Sequence, residues 1–89
     1  MPRLVITHNV TDVDAWLSFN AERTETVTGI GGTNVADHVA VDGSKSVAVS
    51  ADVEDVESFL ATLAAPPAAI AEVMQRHGVE PPLVAYVAK

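Results

Sequence analysis

Four side chains in this sequence have the types and spacing to handle a small organic molecule: His8, Trp16, Asn20 and His38. A neutral imidazole can act as a general base, because its ordinary pKa of about 6.5 lies close to neutral pH. Trp16 offers a flat apolar face for stacking. Asn20 follows it by one helical turn and carries both a donor and an acceptor. A cleft between a helix and a sheet, with apolar walls and these few polar groups, is a usual small-molecule site. His8 and His38 are the catalytic candidates, and Trp16 and Asn20 the ligand-binding ones. Each also has a plain structural role: His8 as a satisfied core residue, Trp16 as packing, Asn20 as a partner for backbone groups.

Other chemistry finds less support. His8 and His38 fall on strands separated by a third strand, so at ~4.8 Å per strand they lie at least ~10 Å apart. Zinc needs ligands at ~2.1 Å, and the two cannot share one. His77 stands in the last turn of a helix, where a cation complements the dipole. The chain has no cysteine, which excludes disulfides, thiol catalysis and thiolate metal sites. No Ser-His-Asp set, phosphate loop or paired-carboxylate site can be assembled.

The elements that must position these residues are organised by a duplication. Residues 10–17 read VTDVDAWL and residues 53–60 read VEDVESFL, with Asp14 answering to Glu57 and Trp16 to Phe59. Each copy reads as a joint where a strand ends and an amphipathic helix begins, capped by Asp12 or Thr11 in the first and by Asp52 or Asp55 in the second. The first strand spans 3–10, with Leu4, Ile6, His8 and Val10 on its more apolar face. The first helix runs from near Asp12 toward Gly29, and Asn20 on its inward side needs a partner. A second strand covers 34–41 and a return strand 46–51, joined at Asp42-Gly43, a strong two-residue hairpin signal. A two-residue loop places His38 opposite Val47, and a four-residue loop places it opposite Val49. Either way His38 shares the helix-facing side with His8. The second helix carries Val56, Phe59, Leu60 and Leu63, must break at Pro66-Pro67, and resumes over 68–77. Pro81-Pro82 turn the chain into a last strand over 83–88.

Strand, helix, strand, strand, helix, strand is the order of a ferredoxin-like βαββαβ α+β domain, with a four-stranded antiparallel sheet and the first and third strands at its centre. One sheet face is left without helices. It is expected to carry Arg3, Val5, Thr7, Val35, Asp37, Val39, Val41, Ala48 and Ser50, with Val84, Tyr86 and Ala88 or their neighbours from the last strand. That mixture is too apolar for water alone, and a homodimer packed sheet to sheet would cover it.

Eighty-nine residues make one domain, and a chain this short buries only about 60–65% of its unfolded surface, so a partner helps it. The net charge of −7 argues against nucleic acid and against an anionic membrane surface. The N-terminal stretch is too short and polar for a signal peptide, and no apolar run approaches the ~20 residues of a membrane span. The expectation is a soluble, cytoplasmic protein.

The stretch HNVTDVDAWL resembles the opening of the small dimeric α+β-barrel proteins, and FLATLAAPPAAIAEVMQRHGVEPPLVAYV is similar to their closing part. The resemblance covers most of the chain and reaches the antibiotic-biosynthesis-monooxygenase-like and cyclase-like members. It implies a dimer and a small apolar or aromatic ligand, with cofactor-free monooxygenation of a polycyclic aromatic as one activity. In that chemistry His and Asn hold or deprotonate a phenol, Trp16 stacks on it, and the substrate itself activates oxygen. Haem degradation, also found in the superfamily, would draw on Asn9 and His77, but Asn9 faces away from the helices. The chain departs from the family pattern at Asn20, where an aromatic is common; its bulky neighbour Phe19 points elsewhere. A non-catalytic dimeric module that binds a ligand or another protein is the alternative.

Overall fold

The computed structural model describes residues 2–88. Its elements are β1 (Arg3–Val10), α1 (Val13–Ser18), α2 (Asn20–Gly29), β2 (Gly32–Val39), β3 (Ser46–Val53), α3 (Val56–Ala64), α4 (Ala68–Arg76) and β4 (Val79–Val87). The four strands form one sheet in the order β2-β3-β1-β4, antiparallel throughout. This is the ferredoxin-like arrangement, with the first and third strands adjacent at the centre. Among the described residues no single helix is long and apolar enough to cross a membrane.

The duplicated joint is physically duplicated. Asp12 accepts a hydrogen bond from the Ala15 amide at 3.1 Å, and Asp55 accepts one from the Ser58 amide at 3.0 Å. Each carboxylate satisfies a free N–H of a helix start and places negative charge at the positive end of the dipole. One turn into each helix an aromatic is driven inward, Trp16 at 0% exposure and Phe59 at 3%. The two anchor separate parts of the core. Phe59 packs with Leu4, Ile6, Ala51 and Val53, while Trp16 packs with Val10 and Val47.

The first helix is interrupted. Phe19 leaves helical geometry (φ −93°, ψ 15°), and its amide bonds to the Trp16 carbonyl, three residues back rather than four. The Ser18 hydroxyl also bonds back to the Ala15 carbonyl, a competition with the backbone ladder that bends helices. The second helix breaks at Pro66-Pro67 as expected, and α3 and α4 meet at 74°. Pro81 and Pro82 lie inside β4 rather than before it. They are tolerated because β4 is an edge strand whose register against β1 slips between Thr7 and Asn9.

The β2–β3 connection differs from both expected loops. Ala40 bonds to Ser46, and Val39 pairs with Val47, so the loop holds five residues, 41–45. An odd loop shifts the register by one and turns the β2 side chains from Ala36 to Val39 to the opposite face. His38 therefore pairs with Ala48 and lies on the helix-free face, away from His8. Val35, Asp37 and Val39 move the other way, toward the helices, and Val41 is at the fully exposed loop tip. A bulge between Thr33 and Ala36, with Asn34 at φ +51°, accommodates the start of β2. The helix-free face thus carries Val5, Thr7, Ala36, His38 and Ala48, with the exposed Val84 and Tyr86 from β4.

Candidate active site: a cavity beside a buried arginine

The space between the helices and the inner face of β1 holds a cavity of about 80 Å³. Its walls are largely aliphatic, with Ile6, Val27, Val49, Leu63 and Met74 among them, and α4 roofs it with Ile70 and Val73. Five polar or aromatic side chains meet it: His8, Trp16, Arg23, Thr26 and His77.

His8 projects from the end of β1 on the strand's inward period and is 7% exposed. Its Nδ1 lies 3.1 Å from the Asn9 carbonyl oxygen. A carbonyl only accepts, so Nδ1 carries the proton and Nε2 keeps its lone pair. Burial pushes the imidazole pKa below its ordinary value; the Asn9 bond opposes this, and the Arg23 charge adds to the depression. His8 is therefore an uncharged base at neutral pH. Trp16 meets it edge to face, ring centroids 6.2 Å apart. The Trp16 indole Nε1 is the one buried side-chain polar atom without a hydrogen-bond partner among the described residues. An orphaned donor at 0% exposure is costly in a core and useful in a binding site.

Arg23 is the residue the sequence reading missed. Its guanidinium lies 3.8 Å from the Trp16 ring centroid and donates to the Trp16 carbonyl at 2.9 Å. Asp37 grips it bidentately, through Nε at 2.8 Å and through Nη2, with both side chains under a tenth exposed. Burial alone would raise the Asp37 pKa, but the bonds from Arg23 and Asn20 outweigh it and hold the carboxyl below its ordinary range. Nη1 of Arg23 approaches Nδ1 of His77 at 3.2 Å. Arginine only donates, so His77 accepts there and donates from Nε2 to Glu22 at 2.7 Å. Phe19 stacks on the His77 ring, centroids 4.6 Å apart and planes 9° from parallel. Glu22 also binds Arg76, and these two bonds hold its carboxyl below the usual range.

The four expected site residues are thus divided. His8 and Trp16 come together in the cavity. Asn20 has the partner its position demanded, donating to Asp37 at 2.7 Å, but it is exposed and lies outside the cavity lining. His38 bonds Ser50 at 2.8 Å on the far face of the sheet, because of the five-residue loop. His77 is 4% exposed and embedded in a network rather than being only a helix-end charge. A signal for Arg23 was present: Trp16, Asn20 and Arg23 stand at i, i+4 and i+7, one helical stripe. Among the described residues no cluster of three His, Asp or Glu side chains could hold a metal.

No family model and no curated protein sequence matches the chain. Solved structures do, over nearly its whole length. A Bordetella bronchiseptica protein provisionally assigned as an antibiotic biosynthesis monooxygenase superposes with a TM-score of 0.70 at 13% identity, over 99% of this chain and 94% of that one. SnoaB, a cofactor-independent oxygenase from Streptomyces nogalater, gives 0.65 at 17% identity, over 99% and 92%. A dimeric ferredoxin-like protein from an uncultured marine organism gives 0.53 at 17% identity, over 98% and 92%. In fold, the chain is a ferredoxin-like α+β protein similar to those of the antibiotic biosynthesis monooxygenase type.

Proposed function

We propose that this protein is a small homodimeric, cytoplasmic enzyme that binds a flat phenolic molecule in the cavity beside Trp16 and oxidises it with dioxygen, without a cofactor. The observation that carries the reading is that an uncharged His8 and Trp16, whose indole N–H has no hydrogen-bond partner, line one apolar cavity. His8 removes the phenolic proton. The indole donor and the Arg23 charge beside it favour the resulting anion. The electron-rich anion then reduces O2 at the ring carbon activated by its oxygen. A C–O bond forms, and loss of water from the hydroperoxide leaves a carbonyl, so that one CH2, one O2 and no external reductant yield one C=O and one H2O. Likeness in fold to a cofactor-independent oxygenase supports the reaction class. The dimer is supported by Val84 and Tyr86, 43% and 57% exposed on the helix-free face, and by a dimeric structural neighbour.

Oxygen uptake with anthrone in EDTA-treated buffer tests the reaction. The wild type is expected to consume O2 well above the spontaneous rate, and His8→Ala to lose about 10²-fold or more. Uptake at the spontaneous rate for the wild type would refute the enzyme. With Asn20 and His38 outside the cavity and both His77 nitrogens already bonded, His8 is the one free base there among the described residues, which favours a ligand-binding module as the second reading. Saturable binding with no oxygen uptake would establish it.

A further inference from the structure

A ligand larger than a small ring system would have to extend beyond the cavity. About 80 Å³ compares with the ~300 Å³ or more of an ordinary ligand site. Two surface grooves, one on each side of α4, share wall residues with it. The groove between α2 and α4 shares Thr26, Ile30, Ile70 and Val73 with the cavity, and its rim carries Glu22 and Glu25. The groove on the other side shares Ile6, Leu63, Met74 and Leu83 with the cavity. Its remaining walls are Leu60, Ala64, Pro81 and Ala85, so among the described residues no polar side chain lines it, and its volume is about 390 Å³.

We infer that this second groove, between α3, α4 and β4, is a subsite for an apolar substituent on the ring system bound at His8 and Trp16. The ligand class is then an aromatic head with an alkyl or similar unbranched apolar tail. The tail leaves the cavity past Leu63, Met74 and Leu83 and lies along Leu60, Pro81 and Ala85. The opposite mouth is unsuited to such a tail, because the Glu22 carboxylate there is held ionised by Arg76. A second copy of the chain does not compete for the groove. Leu83 and Ala85 alternate along β4 with Val84 and Tyr86, so groove and dimer face lie on opposite sides of the sheet. The inference rests on the reading that the cavity takes the aromatic head.

The test is a binding series with 2-methyl-, 2-butyl- and 2-hexyl-1,4-naphthoquinone, read by quenching of Trp16 in the intact protein. Full burial of a methylene corresponds to about fourfold in affinity. A groove open on one side should give about half that free energy, roughly twofold per methylene and thirtyfold from methyl to hexyl. Ala85→Glu, at an exposed position on the groove wall, should collapse the hexyl-to-methyl ratio to near one, and Glu25→Gln on the other mouth should preserve it. A flat series with the methyl compound still bound would overturn the subsite alone. A ratio untouched by Ala85→Glu, or lost in Glu25→Gln, would also overturn it by placing the tail elsewhere. Failure of all three quinones to bind would overturn both the subsite and the head-binding reading.

Discussion

Replacing Asp37 by Ala would leave the Arg23 guanidinium buried against Trp16 with its bidentate partner gone. Both side chains of the pair are under a tenth exposed, so solvent cannot substitute fully for the lost carboxylate. Removing one partner of a buried pair typically costs about 3–5 kcal/mol, and the lower figure suits a pair at the edge of the sheet. A domain of this length has roughly 4–13 kcal/mol in total. Melting shifts by about 4–8 °C per kcal/mol for a chain of this size, so Asp37→Ala should lower Tm by more than about 12 °C. Asn20 loses its bond in the same variant, in keeping with the large value. The double variant Arg23→Met, Asp37→Leu removes both charges, fills a similar volume and should recover most of the loss. Thermal unfolding followed by far-ultraviolet circular dichroism reads both. A drop below about 4 °C in the single variant, or a double variant as unstable as the single, would refute the claim that Arg23 is held by a buried ion pair.

Packing at Gly32, the charge state of His8 and the helix-free face each give a further expected outcome. A Cβ at Gly32 would fall 2.5 Å from Val27 Cγ1 and 3.3 Å from Ala51 Cβ, so Gly32→Ala should destabilise by about 1–3 kcal/mol in urea unfolding; an unchanged midpoint would show that α2 and β2 are not so tightly apposed. Because the folded-state pKa of His8 lies below its unfolded value, the unfolded chain binds the extra proton, and stability present above about pH 6.5 is lost as pH falls toward the folded pKa. His8→Phe should flatten that part of the Tm-against-pH curve, and an equally steep curve in the variant would assign the dependence elsewhere. Tyr86→Glu on the helix-free face should move the protein on a sizing column from a dimer to a 9.3 kDa monomer, and an unmoved peak would place the dimer contact elsewhere.

What could be read from residue types alone was local and repeated. The two copies of the strand-to-helix joint gave the caps at Asp12 and Asp55, the buried aromatics at 16 and 59 and, through their symmetry, the adjacency of β1 and β3. The inward phase of β1 put His8 beside the helices correctly. His38 was misplaced because strand facing depends on the parity of a loop, and Asp42-Gly43 suggested an even one. Gly43 does adopt a positive φ of +77°, as a turn residue there requires, but within a five-residue loop. Asp37 moved with it, from the expected bare face to the grip on Arg23. The buried network was hard to foresee for another reason. Arginine is rarely fully buried, and its pairing with a carboxylate 14 residues away depends on the same strand register. The break at Phe19 has no Gly or Pro to announce it, and the ring on which Phe19 stacks there, His77, comes from the end of a helix late in the chain.

Trp16 is the only tryptophan, it has no exposed surface, and it lines the cavity, so its emission reports on the site directly. The most direct test is a fluorescence titration of the wild type with 2-methyl-1,4-naphthoquinone, run beside one with iodide. Saturable quenching by one quinone per chain, weakened at least tenfold in His8→Ala and accompanied by no quenching with iodide, is the predicted result. Linear, unsaturable quenching by the quinone, or saturation unaffected by His8→Ala, would contradict a binding site formed by these two residues.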